Sequence, residues 1–391
     1  ALFLVLFIVL FSTELTRIPL TALMAILVYT GYKLASPDVV RRIFTIGKEQ
    51  LIIFFATLFV TLKVGLITGI VAGLIATFVI HIVVTKSLSL FVKNILKPNV
   101  LMFKEENGGY FISVKHFCSF LNFNMLKNKL EAIPEESDVI LDFSLCGFVD
   151  HSVMENVHDY QELFHKKGGN IGVIGLDILG TKSEHPFALR RLLPLQNIIA
   201  NNKTKRQNNL EQVANDFGLR FDPLRRRNSA FLENFIYFKT KKVEHVFNQL
   251  SAEKKPCHLF DITFSEGEFI AKEVIRSTML HIKTPSSVPV FTLDREGLLE
   301  RLYALTGYKD IDIKNHADFS KRFYLRGENE NAIRSLFIDE LVLFFESNAY
   351  YHIESSKDGL LVFSKERMAS IKEIKALLDF GLRLNAIINK V

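Results

Sequence analysis

One short loop combines three side chains that are able to take part in chemistry. Asp150, His151 and Ser152 lie within residues 147–153 (GFVDHSV), directly before a predicted helix. The side chain of Asp150 or of Ser152 could cap that helix, and the exposed N–H groups at its start could hold an anion. Capping and packing is the preferred interpretation of this loop.

Three histidines recur at every seventh position of the same predicted helix: His151, His158 and His165. Successive members stand two helical turns, about 10 Å, apart, whereas the ligands of one metal ion lie about 2 Å from it. His116 and His185 could complete a site only if the fold brought them close. We therefore favour a solvated or partner-facing stripe, and the sequence predicts no metal site and no cofactor.

Two further charged groups lie in the C-terminal half. Four acidic residues are close in sequence: Asp261, Glu266, Glu268 and Glu273. Two of them could share a strand face, but solvated surface charge is the favoured interpretation. Arg225, Arg226 and Arg227 could contact anionic lipid headgroups, and a plain solvated linker explains them equally well.

Enzyme and nucleic-acid motifs are missing from the sequence. It has no Gly-rich phosphate loop, no nucleophile elbow and no HExxH pattern. Cys118, Cys146 and Cys257 are far apart and show no CxxC spacing, which argues against a disulfide framework and a zinc site and favours a cytosolic location. The formal net charge of +6 is modest for 391 residues, and we interpret it as solubility and attraction to anionic lipid. The sequence predicts no enzyme activity and no nucleic-acid partner.

The apolar run at residues 64–84 predicts a membrane helix. About twenty residues at about 1.5 Å each cross a hydrocarbon core of about 30 Å. Gly65, Gly69 and Gly73 recur every fourth residue and predict a helix-packing face, although glycine is also simply commoner in membrane helices. Shorter apolar segments precede this run at residues 1–11, 18–35 and 51–62. Because Ala1 begins an apolar run without a basic flank, we expect a longer protein that extends before it.

Strands and helices alternate after the apolar segments. Residues 110–116, 139–143 and 171–176 are predicted strands, and residues 122–132 and 151–166 are predicted helices. This alternation predicts a small α/β layer structure. Basic residues are richer on one side of the apolar segments, so we expect residues 86–391 to be cytoplasmic.

Two stretches resemble a known family. The run IPLTALMAILVYTGYKLA, with the glycine-spaced final helix, resembles the end of the membrane domain of the SulP anion transporters, the sulfate permease family. The stretch DVILDFSLCGFVDHSVMENVHDYQELFHKKGGNIGVIGL resembles a STAS domain, which follows the last membrane helix in that family. Two positions depart from the family pattern. Lys63 stands where an acidic residue is usual, and His151 stands where some STAS proteins carry a phosphorylated serine.

The resemblance covers residues 1 to about 180 and implies a fold. That fold is an all-α membrane segment, the last four helices of a SulP-type inverted-repeat transporter, followed by an α/β STAS domain and a C-terminal α+β domain. The predicted boundaries are 1–85 for the membrane helices, 86–99 for a linker, 100–196 for the STAS domain, 197–209 for a second linker and 210–391 for the α+β domain. In the last domain, patterns predict strands at residues 257–264, 288–293, 321–325, 350–354 and 360–363, and helices at residues 295–306, 328–337, 339–347 and 370–389.

Two functions follow from the resemblance. The first is the C-terminal portion of a secondary transporter that moves an inorganic anion, of the sulfate or bicarbonate class, across the bacterial inner membrane. The family implies that the substrate site lies before Ala1, so no substrate-binding residue is assigned. The second is a membrane-tethered STAS interaction or signalling module without transport. The implied partners are the anion, membrane lipid, a second copy of the chain and a cytosolic protein that binds the STAS domain. A catalytic or ligand-sensing role for residues 210–391 rests on their size alone.

Overall fold

The chain forms two compact units. The structure, a computed structural model, describes residues 10, 19–34, 36–85, 88–96, 99–105, 108–181, 183, 185–192, 203–227, 229–253, 255–267, 273–284, 288–295, 310–313 and 316–390. The first unit lies within residues 1–92 and 182–189, and the second within residues 93–181 and 190–391. The predicted C-terminal domain and the predicted STAS range, apart from residues 182–189, therefore belong to the second unit.

The first unit is helical where it is described. Its helices are α1 (Leu20–Leu34), α2 (Pro37–Ile46), α3 (Lys48–Lys63) and α4 (Leu66–Thr85). Helix α5 (Leu88–Leu96) follows and leads into the second unit. Pro37 opens α2, where a missing N–H costs nothing. Val64 and Gly65 join α3 to α4, and Gly65 has a φ of +144°, which favours glycine. In the same unit, the Ser183 hydroxyl donates a hydrogen bond to the Thr45 carbonyl.

The predicted all-α membrane segment of four helices is wrong. Among the described helices, only α4 is long and apolar enough to cross a membrane, by length and composition alone. Helix α1 has 15 residues, which span about 22 Å against a hydrocarbon core of about 30 Å. Helix α3 has 16 residues with charged groups at both ends, and α2 has ten residues within the predicted connector. With two large sheets in the second unit, the chain is a mixed α/β protein. The predicted first segment, residues 1–11, lies outside the described residues except for Leu10.

The N-terminal part of the second unit is an α/β layer. Its elements are β1 (Val100–Lys104), β2 (Tyr110–Cys118), α6 (Phe123–Glu131), β3 (Asp138–Val149), α7 (His151–Lys166), β4 (Asn170–Ile174) and β5 (Arg190–Arg191). Strands β2, β3 and β4 run parallel, β1 is antiparallel to β2, and β5 pairs with the end of β3. An apolar core under α6 and α7 includes Ile112, Leu126, Leu141 and Val153. This layer holds the loop at residues 147–153.

An antiparallel sheet forms the C-terminal part of the second unit. Its strands follow the order β11-β10-β12-β13-β9-β8-β7-β6. They are β6 (Arg220–Asp222), β7 (Lys241–Ser251), β8 (Cys257–Glu266), β9 (Glu273–Ile282), β10 (Phe291–Asp294), β11 (Tyr324–Gly327), β12 (His352–Ser356) and β13 (Gly359–Phe363). The accompanying helices are α8 (Lys205–Asp216), α9 (Ala317–Arg322), α10 (Glu330–Leu336), α11 (Asp339–Ser347) and α12 (Ile371–Ile388).

Separate cores cover the two faces of this sheet. Residues of α8 and α12, such as Leu210 and Leu378, join the larger core with Leu280 and Leu293 of the strands. On the other face, Phe235 and Tyr237 pack with aromatic side chains of β8 and β13. A small cluster of Ile174, Ile178, Phe247 and Met368 connects the sheet to the α/β layer.

Candidate functional site

The loop singled out by the sequence is organised around Asp150. Its Oδ1 accepts the Val153 N–H at 2.9 Å, and its Oδ2 accepts the Phe120 N–H at 2.7 Å. The side chain is buried, and burial raises the pKa of the carboxyl to about 6, although both hydrogen bonds and His151 act to lower it. Asp150, rather than Ser152, therefore caps α7 and ties the helix to the turn after β2.

His151 and Ser152 lie on the partly exposed surface of α7. The His151 Nε2 atom stands 3.7 Å from the Glu155 carboxylate. His158 stands 3.9 Å from Glu162 in the same way. Polar pairs four residues apart are typical of a solvated helix face. The loop therefore separates its three polar side chains, with the carboxyl inside the fold and the other two near its surface.

Two of the three predicted packing glycines lie against helix α3. A Cβ atom at Gly69 would stand 1.8 Å from the Thr61 Oγ1 atom, and one at Gly73 would stand 2.2 Å from the Thr57 Oγ1 atom. Only glycine permits this close approach of α3 and α4. Gly65 instead precedes α4 and forms the turn.

A buried ionic cluster joins the α/β layer to the antiparallel sheet. The Arg206 Nη1 atom lies 2.8 Å from Asp177 and 2.6 Å from Asp261. Asn248 donates to both carboxylates, and Thr278 donates to Asp261. All these side chains are buried, and the two carboxylates raise the pKa of Arg206 despite its burial. We name this set the Arg206 cluster: Asp177, Arg206, Asn248, Asp261 and Thr278.

The sequence interpretation missed the Arg206 cluster. It assigned Asp261 to solvated surface charge, whereas Asp261 is 0% exposed in the middle of β8. It also placed Arg206 in a linker, whereas Arg206 lies in the first turn of α8. The available signal was the position of Asp261 inside the apolar run CHLFDITF, where a charge requires a partner.

A second buried polar group lies on strands β10 and β12. His352 is 0% exposed, with its Nδ1 atom 3.7 Å from Asp294 and its Nε2 atom 4.0 Å from Glu354. Glu354 also accepts backbone N–H groups of Ile236 and Tyr237. The two carboxylates flank opposite ring nitrogens, so they do not converge on one metal position. Across the described residues, no group of three or more His, Cys, Asp or Glu side chains is arranged to hold a metal ion.

No protein-family model matches the chain, and no curated protein matches it either.

Proposed function

We propose that this chain is a membrane-attached interaction module whose residues 93–391 act in the aqueous phase by binding another protein. The observation that carries the proposal is that the apolar side chains of α4 are largely exposed, whereas those of the second unit are buried in apolar cores. Ile67 and Val83 of α4 are 79% and 68% exposed, although burying one such side chain is worth about 1.5–3 kcal/mol. Insertion of α4 into a bilayer would remove these side chains from water and gain that free energy. The second unit, by contrast, encloses its own apolar cores.

The α/β layer supports a STAS-type role for this module. Its parallel strands β2, β3 and β4 carry helix α7 directly after Asp150, an arrangement that agrees with the resemblance in sequence. On this proposal the layer faces the cytoplasm of a bacterial inner membrane, because within about fifteen residues of α4 three lysines, Lys86, Lys93 and Lys97, follow it and one, Lys63, precedes it. It would bind a cytosolic protein or a second copy of the chain.

Exposed apolar side chains near Asp150 support protein binding. Phe120, Leu145 and Leu192 are 41%, 42% and 53% exposed. The Phe120 N–H bonds to Asp150, and the Leu192 N–H bonds to the Gly147 carbonyl, so both residues flank the loop. Aromatic and aliphatic anchors of this kind commonly supply the energy of a protein interface.

Membrane attachment is tested by alkaline carbonate extraction of cell membranes. The natural protein should stay in the pellet. The double variant Ile70→Arg/Leu74→Arg, which places two charges on the exposed face of α4, should leave the pellet or fail to accumulate in it. The matched control Leu224→Arg, at an exposed site of the second unit, should stay membrane-bound. Extraction of the natural protein by carbonate would overturn the attachment.

Protein binding is tested by proximity labelling in intact cells. The double variant Phe120→Asp/Leu192→Asp should lose partners that the natural protein labels, including a second copy carrying a different tag. Leu343→Asp should keep them, since Leu343 is 55% exposed and lies on α11, which packs with the antiparallel sheet. Equal labelling by both variants would contradict an interface at this loop.

Anion transport by a SulP-type protein is a second candidate function. The observation that favours it is the contact of Gly69 and Gly73 with Thr61 and Thr57. Small residues that let two helices approach closely are typical of helix packing within membranes. The transported ion would be an inorganic anion of the sulfate or bicarbonate class, as the resemblance implies.

Transport is tested with membrane vesicles from cells that express the natural gene. Uptake of radiolabelled sulfate or bicarbonate should exceed that of vesicles from cells without the gene. Gly73→Leu should reduce the uptake at equal protein amount. Gly31→Leu should not, because nothing lies within 4 Å of a Cβ at Gly31. Uptake of both anions at the level of the control vesicles would contradict this candidate.

A further inference from the structure

A row of polar side chains crosses the antiparallel sheet on the face that meets the α/β layer. His245 of β7 stands opposite Thr263 of β8, and Thr263 stands opposite Arg276 of β9. The bridge between Arg226 and Val246 places Arg227 opposite His245. Neighbouring strands are about 4.8 Å apart, so side chains on this row are close neighbours. We call His245, Thr263 and Arg276 the polar row.

Each member of the polar row has a buried atom that lacks a partner. The His245 Nε2, Thr263 Oγ1 and Arg276 Nε atoms have no hydrogen-bond partner among the residues that the structure describes. Thr263 is only 1% exposed. Buried polar atoms are nearly always paired, because an unpaired one loses its hydrogen bonds to water. Three exceptions at consecutive cross-strand positions indicate one shared partner.

All three atoms can donate a hydrogen bond. The Arg276 Nε–H is a permanent donor, and the Thr263 hydroxyl rotates to suit its partner. Burial, with the charges of Arg225, Arg276 and Arg227, lowers the pKa of His245 to about 4. His245 is therefore neutral at pH 7 and can carry its hydrogen on Nε2. An acceptor with several oxygens can satisfy all three donors at once.

The charges around the polar row favour an anion. Five arginines lie at this junction: Arg190, Arg206, Arg225, Arg227 and Arg276. The pKa effects on these groups place four carboxylates beside them: Asp142, Asp177, Asp261 and Glu244. Asp177 and Asp261 are held by Arg206. Around His245 itself, the charges of Arg225, Arg227 and Arg276 stand against the carboxylate of Glu244.

Two of these arginines connect the row to the α/β layer. Arg276 donates to the Ser144 carbonyl, and Arg225 donates to the Ile178 carbonyl. These contacts fix both guanidinium groups next to the sheet. A ligand on the polar row would therefore touch the place where the two parts of the second unit meet.

We propose that His245, Thr263 and Arg276 bind a tetrahedral oxyanion, a phosphate or sulfate group, with Arg225 and Arg227 supplying charge. The four oxygens of such a group match donors of fixed direction, and arginine suits phosphate and sulfate recognition. The same chemistry is presented by inorganic phosphate and by a lipid phosphate headgroup. This site is independent of membrane attachment and transport.

Equilibrium dialysis of the purified full chain in detergent tests the proposal. Radiolabelled phosphate and sulfate are titrated separately at pH 7 and constant ionic strength, with chloride as the counter-anion. We expect one anion per chain. Thr263→Val replaces the hydroxyl with a methyl group and should weaken binding about tenfold, and Arg276→Gln should weaken it by about tenfold to a hundredfold.

A matched control separates the site from general effects on the sheet. Thr292 is also 1% exposed, and its Oγ1 atom also lacks a partner within the described residues, but it lies on β10. Thr292→Val should leave the dissociation constant unchanged. Competition with dihexanoyl phosphatidic acid identifies the source, because displacement at lower concentration than inorganic phosphate indicates a lipid headgroup. Absence of binding at 10-fold physiological anion concentrations would overturn the proposal and leave ordered water as the shared partner. Binding that is equal in Thr263→Val, Arg276→Gln and the natural protein would also overturn it.

Discussion

The Asp150 carboxyl makes the stability of the second unit depend on pH. Burial raises its pKa from 3.8 to about 6, so the folded state holds a proton that the unfolded state has already released between these values. The contribution of Asp150 is present in full below pH 3.8 and is lost as the pH rises through about 6. The whole effect amounts to about 3 kcal/mol.

Asp150→Asn should therefore reduce the dependence of the unfolding free energy on pH between pH 4 and 6. The amide can still accept the Val153 N–H as a cap, but it does not titrate. Between pH 4 and 6, the free energy of unfolding of the natural chain should fall relative to that of the variant, measured by urea denaturation and circular dichroism. Parallel profiles for the two proteins would show that Asp150 does not titrate in this range.

Arg206 is the cation of the Arg206 cluster, and it contacts both buried carboxylates of that cluster. Arg206→Met keeps the apolar stem but leaves Asp177 and Asp261 without their counter-charge. Loss of one partner of a buried pair costs about 3–5 kcal/mol, so we expect that decrease in the unfolding free energy. Arg226→Met is the matched control, because its pair with Asp222 is solvated and such pairs are worth about 0–1 kcal/mol.

A second substitution checks the cause of that loss. In the Arg206→Met background, Asp261→Asn removes one of the two unpaired charges and should restore part of the stability. If the double variant is less stable than Arg206→Met alone, the charge explanation is wrong and packing of α8 dominates.

At the scale of elements, periodic patterns predicted much of the fold but not its polar strands. Helix α7 spans residues 151–166 and α11 spans residues 339–347, as their patterns predict. Strands β7 and β9 were missed. The sequence of β7, KKVEHVFNQLS, is largely polar, although one face of β7 meets the α/β layer. Residues 205–209 were assigned to a linker, because the buried arginine of α8 looks like a solvated charge. The predicted helix at residues 295–306 lies outside the described residues except for Arg295.

The sequence likewise predicted only part of the candidate sites. The sequence located the Asp150 loop, because a capping residue before a periodic helix is a local signal. The contacts of the Arg206 cluster join residues that are 13 to 71 positions apart, and the polar row joins residues on three separate strands. Their pairing depends on strand register, which one sequence does not reveal.

The contact of α3 with α4 is sensitive to one methyl group. In Gly73→Ala, the new Cβ would meet the Thr57 Oγ1 atom at 2.2 Å, so either the Thr57 side chain rotates away from its hydrogen bond to the Ile53 carbonyl or the helices separate. Overpacking of this kind costs about 1–3 kcal/mol, so detergent-titration unfolding should show that loss. Thr57→Ala in the same chain should restore stability, since the next contacts are 3.4 and 3.6 Å away and one of them also disappears. Gly31→Ala, with open space around it, should have no comparable effect.

At the scale of the molecule, the α/β layer and the antiparallel sheet contact each other at several points. Besides the Arg206 cluster, Glu105 lies 2.9 Å from Arg367, and Asp138 lies 2.9 Å from Lys372. The apolar cluster around Phe247 and Met368 lies at the same junction. Such a combination of buried charge and apolar contact favours one rigid body over two domains on a linker.

The two parts of the second unit should therefore remain together after the chain between them is cut. A protease site inserted between Leu192 and Lys203 in the full chain, followed by cleavage in detergent, yields a fragment with each part. A C-terminal tag should recover both fragments in equal amounts. Phe247→Asp, which places a charge in the apolar cluster, should release the N-terminal fragment, whereas Leu343→Asp, at a site that is 55% exposed, should not. Release of the N-terminal fragment from the unsubstituted chain would mean that the junction does not hold without the covalent connection.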